Sequence, residues 1–415
     1  MRIFPFFLAM SAGMFGCHGS GDILSQSLNE SEQVAVLKTV NNHQVVVCDF
    51  ELLKDTIAVP LSYLTEELHI VRLDNSPEAY VPVSDVSVGD HCLLVGGDYW
   101  NGKVPHKLFD RSGSFITDIG GFGRGPGEYF TSIFSQQLDE KNNRIYLLPW
   151  RSDRILVYDL KGNPLDPIRL PCRIHIGRFR VNREDSIVSV FVAPVNDRRT
   201  NTQPTVHFAW SQDMSGKFLK GLSLSPEYLS VFDMTRFEAN YPHSFGNVRE
   251  QDVYTATSIN PRQDTLYHYD VQNNQLIPRF TIDFKNGKIP VVRLYCELPN
   301  HYIGRFAELK EVARGMFRTV NCKYFLIDKT TLKGSYIKLE NDFLGNMDIA
   351  AIKDPAGSFW DGYYVDNYDP AYLLEGLENT LAGKKMSAEM REKLTRLKDS
   401  IKETDNNYVF YAKLK

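Results

Sequence analysis

Six short polar stretches of the chain place aromatic or charged side chains close together. Three of the four tryptophans lie in them, each next to an arginine, an aspartate or an asparagine. A flat aromatic ring beside a planar hydrogen-bonding group suits a sugar ring or a peptide segment. The predicted ligand-binding residues are Trp100, Asn101, Trp150, Arg151, Asp153, Arg198, Arg262, Arg318, Trp360, Asp361 and Tyr364.

Two other interpretations of these stretches stay open. Surface loops are polar in most proteins, and their aromatic side chains can simply cover the edges of sheets. In the last stretch, Asp361, Asp366 and Asp369 could instead hold a hard cation through oxygen ligands, although they lack the spacing of a calcium loop. The polar stretches therefore predict a ligand-binding face without identifying the ligand.

The sequence contains no recognisable catalytic motif. It has no G-x-S-x-G nucleophile turn and no H-E-x-x-H pair, and neither His175, near Cys172, nor His243 has a second metal-ligand pair. We therefore predict no catalytic residue, no cofactor and no protein-bound metal. A calcium or other divalent cation held by residues scattered along the chain would leave no local pattern, so it stays open.

A glycine-rich stretch, Gly120–Tyr129, has five glycines and one proline in ten residues. Such a stretch could cradle a phosphate, but a phosphate loop needs a following helix and this one is followed by another strand pattern. We predict a structural crossover between sheets, with Glu128 accepting hydrogen bonds from the loop amides or pointing toward a central channel. The loop residues are Gly121, Gly123, Gly125, Pro126, Gly127 and Glu128.

The elements that position these residues are short strands separated by turns. A turn element anchored by an aspartate recurs at Asp110, Asp159, Asp213, Asp270 and Asp328, with spacings of 49, 54, 57 and 58 residues. A repeat of this length with four short strands is typical of one blade of a β-propeller. We therefore predict an all-β, six-bladed β-propeller of four-stranded antiparallel blades. The loops between the second and third strands should carry the ligand-binding residues on one face.

The C-terminal region departs from the strand pattern. Ser387 can cap a helix, and Met390, Leu394, Leu397 and Ile401 follow at helical spacing. We predict a helical insertion in the last blade at about residues 373–404, with a helix over Ser387–Glu403. Residues 408–414 return to a strand pattern. In propellers such a terminal strand completes a blade built by the other end of the chain.

The N-terminus has the pattern of an export signal. An apolar run too short to span a membrane follows Arg2 and leads to Gly16-Cys17, which predicts a lipoprotein-type signal peptide over residues 1–17 with Cys17 as the lipidated residue. Residues 18–44 form a polar tether, and residues 45–415 form the propeller. The expected location is the cell envelope, with the protein anchored to the membrane in the periplasm or on the outer-membrane surface.

The charge of the chain limits the classes of partner that we expect. The formal net charge is −4 at pH 7, with basic and acidic residues interspersed, so we predict no nucleic-acid partner. The membrane, through the anchor, and a glycan, a peptide or an envelope protein are the partners that we expect. The protein itself is expected to be a monomer.

Three segments together resemble a known family. They are residues 121–129 (GFGRGPGEY), 143–147 (NRIYL) and 154–159 (RILVYD), and they resemble NHL-type repeats and, more closely, the six-bladed propeller lipoproteins of Gram-negative envelopes. The segments at 57–64 and 413–415 are also similar to the ends of those mature chains. The resemblance implies the fold and the location. It implies no activity, because that family is mostly without an assigned one.

We therefore expect a lipid-anchored binding or scaffold module whose ligand is a glycan or a peptide. The alternative is a metal-dependent propeller hydrolase or lyase with its site in the central channel. A third possibility is an assembly platform that uses the sides of the blades or the helix Ser387–Glu403.

Overall fold

The computed structural model describes residues 28, 30–98, 103–192, 207–223, 242–255, 265–285, 292–313, 316–349, 357–383 and 385–415. Strands dominate these residues. In chain order they are β1 (Ala35–Val40), β2 (His43–Asp49), β3 (Thr56–Pro60), β4 (His69–Arg72), β5 (Val86–Val88), β6 (Cys92–Val95), β7 (His106–Asp110), β8 (Phe115–Ile119), β9 (Gly121–Phe122), β10 (Glu128–Tyr129), β11 (Ile133–Asp139), β12 (Arg144–Pro149), β13 (Ser152–Tyr158), β14 (Pro164–Ile174), β15 (Gly177–Asn182), β16 (Ile187–Val192), β17 (His207–Asp213), β18 (Phe218–Ser223), β19 (Pro242–Ser244), β20 (Asp252–Thr255), β21 (Thr265–Asp270), β22 (Gln275–Asp283), β23 (Val292–Glu297), β24 (His301–Ala313), β25 (Met316–Asp328), β26 (Gly334–Asn341), β27 (Met347–Asp348), β28 (Phe359–Trp360), β29 (Tyr363–Tyr368) and β30 (Tyr408–Lys413).

Helices are few in the described residues. The α-helices are α1 (Leu61–Leu64), α2 (Pro370–Gly383) and α3 (Ala388–Ser400), and single 3₁₀ turns lie at Phe50–Leu52, Pro77–Ala79, Glu140–Asn142 and Asp342–Leu344.

The strands form small antiparallel sheets in chain order. Three sheets contain four consecutive strands each: β5–β8, β11–β14 and β15–β18. A fourth four-stranded sheet has the order β28-β29-β30-β4 and so joins the two ends of the chain. Two larger sheets have six strands each, one built around β19–β22 and the other around β23–β27. Some antiparallel neighbours are joined by short turns, as between β1 and β2.

The prediction of six blades with four strands each is wrong, since four of these sheets have four strands and two have six. The N-terminal segment adds strands to two of the sheets: β2 pairs in parallel with β22, and β3 pairs in parallel with β26. β1, within the segment assigned from sequence to a polar tether, pairs with β2. The repeat of the aspartate turns could not show these additions, because the added strands lie outside the repeating unit.

The sheets stand side by side around a common axis. Strands of neighbouring sheets touch around this axis: β29 touches β5, β5 touches β11, β11 touches β15, and β15 touches β19. A shared apolar cluster connects the sheet of β23 with the sheet of β28 through residues such as Tyr295 and Phe359. The protein is therefore an all-β propeller of small antiparallel sheets.

The recurring aspartates lie where the third strand of a sheet turns into the fourth. Asp110 Oδ1 accepts hydrogen bonds from the amides of Ser112 and Ser114, at 2.8 and 3.0 Å. The same arrangement recurs at Asp159, Asp213, Asp270 and Asp328, each accepting one or two amides within the next four residues. An aspartate that bonds the backbone just after it stabilises a tight turn. This explains why the sequence repeat is visible there.

The closure of the ring is held by the C-terminal strand and an asparagine before it. β30 pairs with β29 on one side and with β4 on the other. Asn406 lies just before β30; its amide nitrogen donates to the carbonyls of Asp74 and Ala79, and its Oδ1 accepts from the amide of Val81. The two ends of the chain are therefore joined by both a strand pair and a buried side chain.

Two helices lie between β29 and β30, in the region where the sequence predicts a helical insertion. Ser387 Oγ accepts a hydrogen bond from the amide of Met390 and so caps α3. Leu373 and Leu377 of α2 and Leu394 of α3 are fully buried in one cluster with Tyr368 and Phe410. The insertion thus packs its apolar side on the last sheet.

Candidate functional site

The predicted ligand face is only partly described. Trp100, Asn101, Arg198 and Arg262 lie outside the described residues. Trp150 and Arg151 form the turn between β12 and β13, as predicted for a loop joining second and third strands. The Arg151 guanidinium lies 4.4 Å from the centre of the Trp150 ring, and Asp153 pairs with its neighbour Arg154 at 2.8 Å. This turn is a polar, half-exposed surface.

The remaining predicted residues do not lie in loops between second and third strands. Trp360 and Asp361 lie at the turn between β28 and β29, which are the first and second strands of their sheet. The helices α2 and α3 occupy the connection between its second and third strands instead. Tyr364 is fully buried in β29, and Arg318 is exposed within β25. The prediction that Trp360 and Asp361 lie in a loop between second and third strands is therefore wrong, because the helical insertion occupies that connection.

The structure instead brings Trp360 and Asp361 to a central cavity. The cavity has a volume of about 70 Å³, enough for several waters or one small polar group. Its walls come from the inner part of five sheets and are mostly polar. They include Ser84, Asp85, Ser87, Ser135, Gln136, Arg178, Arg180, Ser244, Trp360, Asp361 and Asn367.

Two arginines of β15 supply the positive charge of the cavity. Arg178 and Arg180 are two residues apart on one strand, so their side chains leave the same face of the sheet. Arg180 Nη2 donates to Asp361 Oδ1 at 2.8 Å. Burial alone would lower the pKa of Arg180, but the carboxylates of Asp361, Glu250 and Asp252 together raise it. The guanidinium is therefore held in its charged form.

Arg178 is fixed in a different way. Its Nη1 donates to the carbonyl of Phe134 at 3.0 Å, and its guanidinium lies 5.3 Å from the centre of the Trp360 ring. Trp360 in turn donates its indole N–H to the carbonyl of Gly357 at 2.6 Å. A cation over an indole face is an attractive arrangement that also holds both groups in place. The cavity therefore has a rigid aromatic and cationic wall.

The cavity lining also contains a buried amide. Asn367 Nδ2 donates to the carbonyl of Ser84 at 3.2 Å, whereas its Oδ1 is buried and accepts no hydrogen bond from the described residues. Gln136, another lining residue, donates to Ser87 Oγ and to the carbonyl of Leu94. A buried acceptor without a donor costs free energy, so a bound group that donates a hydrogen bond would be favoured here.

Such a cavity can bind a polar group without carrying out a reaction. Arginines favour a carboxylate or phosphate, the indole favours a flat or sugar-like surface, and the amide and hydroxyl groups favour hydroxyls. Among the described residues that line it, the acidic groups are Asp85 and Asp361, and none is a histidine or a cysteine.

Sequence analysis missed Arg178 and Arg180. Their signal is the alternation in Gly177-Arg-Phe-Arg-Val-Asn182, in which apolar residues point to the neighbouring sheet and arginines to the other side. The sequence pattern predicts binding arginines only in loops, whereas the inner strands of a propeller also face its centre.

The three acids proposed as an alternative cation site are not brought together. Asp361 pairs with Arg180, and Asp369 Oδ1 accepts the amide of Ala371 at the start of α2. Asp366 is fully buried and accepts hydrogen bonds from the hydroxyls of Ser358, Tyr364 and Tyr368. Each carboxylate has a separate structural role.

The glycine-rich stretch connects β8, the outer strand of one sheet, to β11, the inner strand of the next. Within it, β9 and β10 pair in parallel and close the loop on itself. Glu128 Oε2 accepts the amide of Gly125 at 2.7 Å. Tyr158 donates its hydroxyl to the carbonyl of Gly127 at 2.9 Å. The loop therefore fixes the crossing between sheets.

A second hollow, of about 290 Å³, lies beside the ring closure. His69 stacks on Tyr411 at 4.9 Å, and the Arg111 guanidinium lies 4.1 Å from the centre of the same ring. Because Tyr411 is covered on these sides by the protein's own groups, we regard the central cavity as the better candidate.

Among the described residues, no helix is long and apolar enough to cross a membrane.

Comparison with solved structures supports the fold. A protein of Bacteroides fragilis, named as a predicted exported protein, superposes with a TM-score of 0.59 at 16% identity, covering 89% of this chain and 99% of that one. A member of the duf4221 family from Bacteroides vulgatus has a TM-score of 0.37 at 11% identity, covering 85% and 97%. At 16% identity the first likeness shows a shared fold alone.

No curated protein matches the chain. A family model described as a domain of unknown function, DUF4934, matches residues 45–413. These residues make up most of the chain. The protein therefore belongs to the DUF4934 family.

Proposed function

We propose that this protein is an extracytoplasmic binding module whose central cavity holds the acidic end group of a glycan or a peptide. The observation that carries the proposal is the pair of arginines, Arg178 and Arg180, fixed beside Trp360 in the middle of the ring. Arginine forms paired hydrogen bonds with a carboxylate, and an indole beside it gives an apolar surface for the rest of the ligand.

The existing pair of Arg180 and Asp361 does not oppose this function. An ion pair with a half-exposed aspartate is a modest interaction, so a ligand carboxylate can share the guanidinium or displace Asp361. Asn367 Oδ1 then offers an acceptor to a hydroxyl or amide of the same ligand. The cavity thus supplies charge, an apolar surface and an acceptor at fixed positions.

Arrays of acidic glycans and of peptides with free C-termini test the proposal and distinguish the two ligand classes. We expect some members of one array to bind the wild-type protein. Each of these ligands should lose binding when its carboxylate is converted to an amide. Arg178→Met and Trp360→Ala should each weaken the binding at least about tenfold, the loss of one charge-assisted hydrogen bond or one aromatic contact.

Trp150→Ala is the matched control, because it removes a tryptophan of the turn between β12 and β13. It should leave binding within about twofold, since this turn is outside the cavity lining. Near-ultraviolet circular dichroism checks that each variant is folded. If binding is unaffected by Arg178→Met and Trp360→Ala but lost in Trp150→Ala, the predicted loop face is the site and the cavity is not.

We also propose that the chain is lipid-anchored through Cys17, which lies outside the described residues. The support is the export-signal pattern of residues 1–17 and the family resemblance. Cys17→Ser should move the protein from the membrane fraction to the soluble fraction of cells. Continued membrane association of this variant would contradict the anchor.

A further inference from the structure

Three buried side chains from two neighbouring sheets converge on one point away from the cavity lining. Asp252 lies at the start of β20 and His268 lies opposite it on β21. Glu297 lies at the end of β23, in the next sheet. Their exposed fractions are 0%, 4% and 1%, so the group is closed off from solvent.

The donor atoms of the three residues lie close together. His268 Nε2 is 2.6 Å from Glu297 Oε2 and 3.3 Å from Asp252 Oδ1. One ligand atom from each residue lies within 4.8 Å of the others. Atoms bound to one ion at about 2.0–2.2 Å lie within this range of one another.

The second oxygen of each carboxylate is already engaged. Asp252 Oδ2 accepts the amides of Val248 and Arg249 at 3.0 and 3.2 Å. Glu297 Oε1 accepts Lys329 Nζ at 2.6 Å. Outer hydrogen bonds of this kind orient the carboxylates that bind metals. They leave Asp252 Oδ1 and Glu297 Oε2 facing His268.

Asp252 Oδ1 gives a second, independent indication of a ligand. It is buried and accepts no hydrogen bond of acceptable geometry from the described residues, although His268 Nε2 lies nearby. In addition, Lys329 offsets one of the two carboxylates, and a cation between them would offset the other. Burying an uncompensated carboxylate is costly.

We propose that Asp252, His268 and Glu297 form a binding site for a divalent transition-metal cation of the zinc type. One imidazole nitrogen and two carboxylate oxygens are ligands that zinc accepts, and a water can take a fourth position. The ion links two neighbouring sheets, and the burial of all three ligands makes the site structural. None of the three residues lines the cavity, and the proposal does not depend on the function proposed for the cavity.

The metal content of the purified chain tests this site. The protein, exchanged into buffer with micromolar Zn²⁺ and then passed through a desalting column, should retain about one zinc ion per chain by mass spectrometry. Chelation with a strong chelator should lower the Tm by several degrees, and added Zn²⁺ should restore it, because a ligand that binds only the folded state stabilises it.

Asp252→Asn and His268→Gln should reduce the retained zinc at least about tenfold, since the loss of even an outer hydrogen-bond partner of a ligand costs about 10–100-fold in metal affinity. His301→Gln is the matched control: His301 is also buried, near Asp328 and outside the group, and should leave the zinc content unchanged. If a variant of a zinc-binding residue does not fold, the zinc content and the Tm response of the wild-type protein test the proposal instead. Less than about a tenth of an ion per chain with no Tm response would overturn the proposal and leave a proton shared between His268 and the carboxylates.

Discussion

Arg180 of β15 and Asp361 of the turn between β28 and β29 are joined across the central cavity by a hydrogen bond of 2.8 Å. Asp361 is held for this contact by its own backbone, because its amide donates to the carbonyl of Phe245 at 2.7 Å and its φ is 47°. The bond therefore connects strands from distant parts of the chain at the centre of the ring. It also holds a cationic group where a ligand can reach it.

Removing this bond should have a moderate effect on stability. Arg180→Met should lower the free energy of unfolding by about 1–2 kcal/mol, between the effects known for exposed and for buried pairs. Arg154→Met, which breaks the exposed pair with Asp153, should cost less than about 0.5 kcal/mol. Urea denaturation measures both values. Equal values for the two variants would mean that the Arg180 pair is as exposed as the surface pair.

The glycine-rich stretch offers a matched test of backbone conformation. Gly120 has a φ of 73°, and a Cβ there would lie 2.7 Å from the Tyr158 hydroxyl and 2.8 Å from the Tyr129 ring. Gly120→Ala should therefore destabilise the protein by about 2 kcal/mol or more. The adjacent Gly121 has no heavy atom within 4 Å of a built Cβ, so Gly121→Ala should cost less than about 1 kcal/mol. A reversed order in thermal unfolding would contradict the crossover geometry.

Asp366 should be a strong stabilising residue without a binding role. Its carboxylate accepts hydrogen bonds from Ser358, Tyr364 and Tyr368, and burial together with this carboxylate raises the pKa of both tyrosines. Asp366→Asn should lower the free energy of unfolding by about 2–4 kcal/mol, because a charged acceptor is lost from a buried network.

The control for Asp366 is Asp369→Asn. Asp369 caps α2 through the amide of Ala371, and asparagine caps helices as well as aspartate does, so the change should stay within about 0.5 kcal/mol. Chemical denaturation compares the two. A small effect of Asp366→Asn would show that the three hydroxyls find other acceptors.

Acid should destabilise the protein partly through His106. Burial lowers the pKa of His106 to about 3, and its Nδ1 accepts the amide of Gly97. Because the folded pKa lies below the unfolded value of about 6.5, this contribution to stability is complete above pH 6.5 and is lost as the pH falls toward 3. At pH 5 the loss should reach about 2 kcal/mol.

His106→Gln should therefore flatten the fall in unfolding free energy between pH 7 and pH 5 by about that amount. His91→Gln is the control, since the side chain of His91 is 86% exposed. Denaturation series at several pH values measure how the unfolding free energy of each variant changes with pH. An unchanged slope in His106→Gln would mean that His106 is not held neutral in the folded protein.

Several parts of the fold follow from local sequence. The aspartate turns were predictable because one side chain bonds the amides directly after it, as at Asp159. The capped helix α3 and the terminal strand β30 likewise depend on neighbouring residues. The parallel pairings of β2 with β22 and of β3 with β26 were not predictable, since the partners are more than two hundred residues apart.

The site was predictable only in its residue types. The sequence predicts Trp360 and Asp361 as site residues but at a different turn. The turn could not be predicted because β28 has only two residues and so leaves no strand pattern in the sequence. Asp252, His268 and Glu297 come from separate strands and meet only through the packing of two sheets. Residues that converge in this way leave no spacing that one sequence can reveal.

Photo-crosslinking tests the central claim most directly. A ligand from the arrays, carrying a diazirine next to its carboxylate, is irradiated with the protein, and the labelled residues are identified by mass spectrometry. We predict labels on the cavity strands, in residues 84–88, 135–136 and 178–180, and their loss in Arg178→Met. Labels confined to residues 150–153, unaffected by Arg178→Met, would contradict the account and place the ligand on the outer turn.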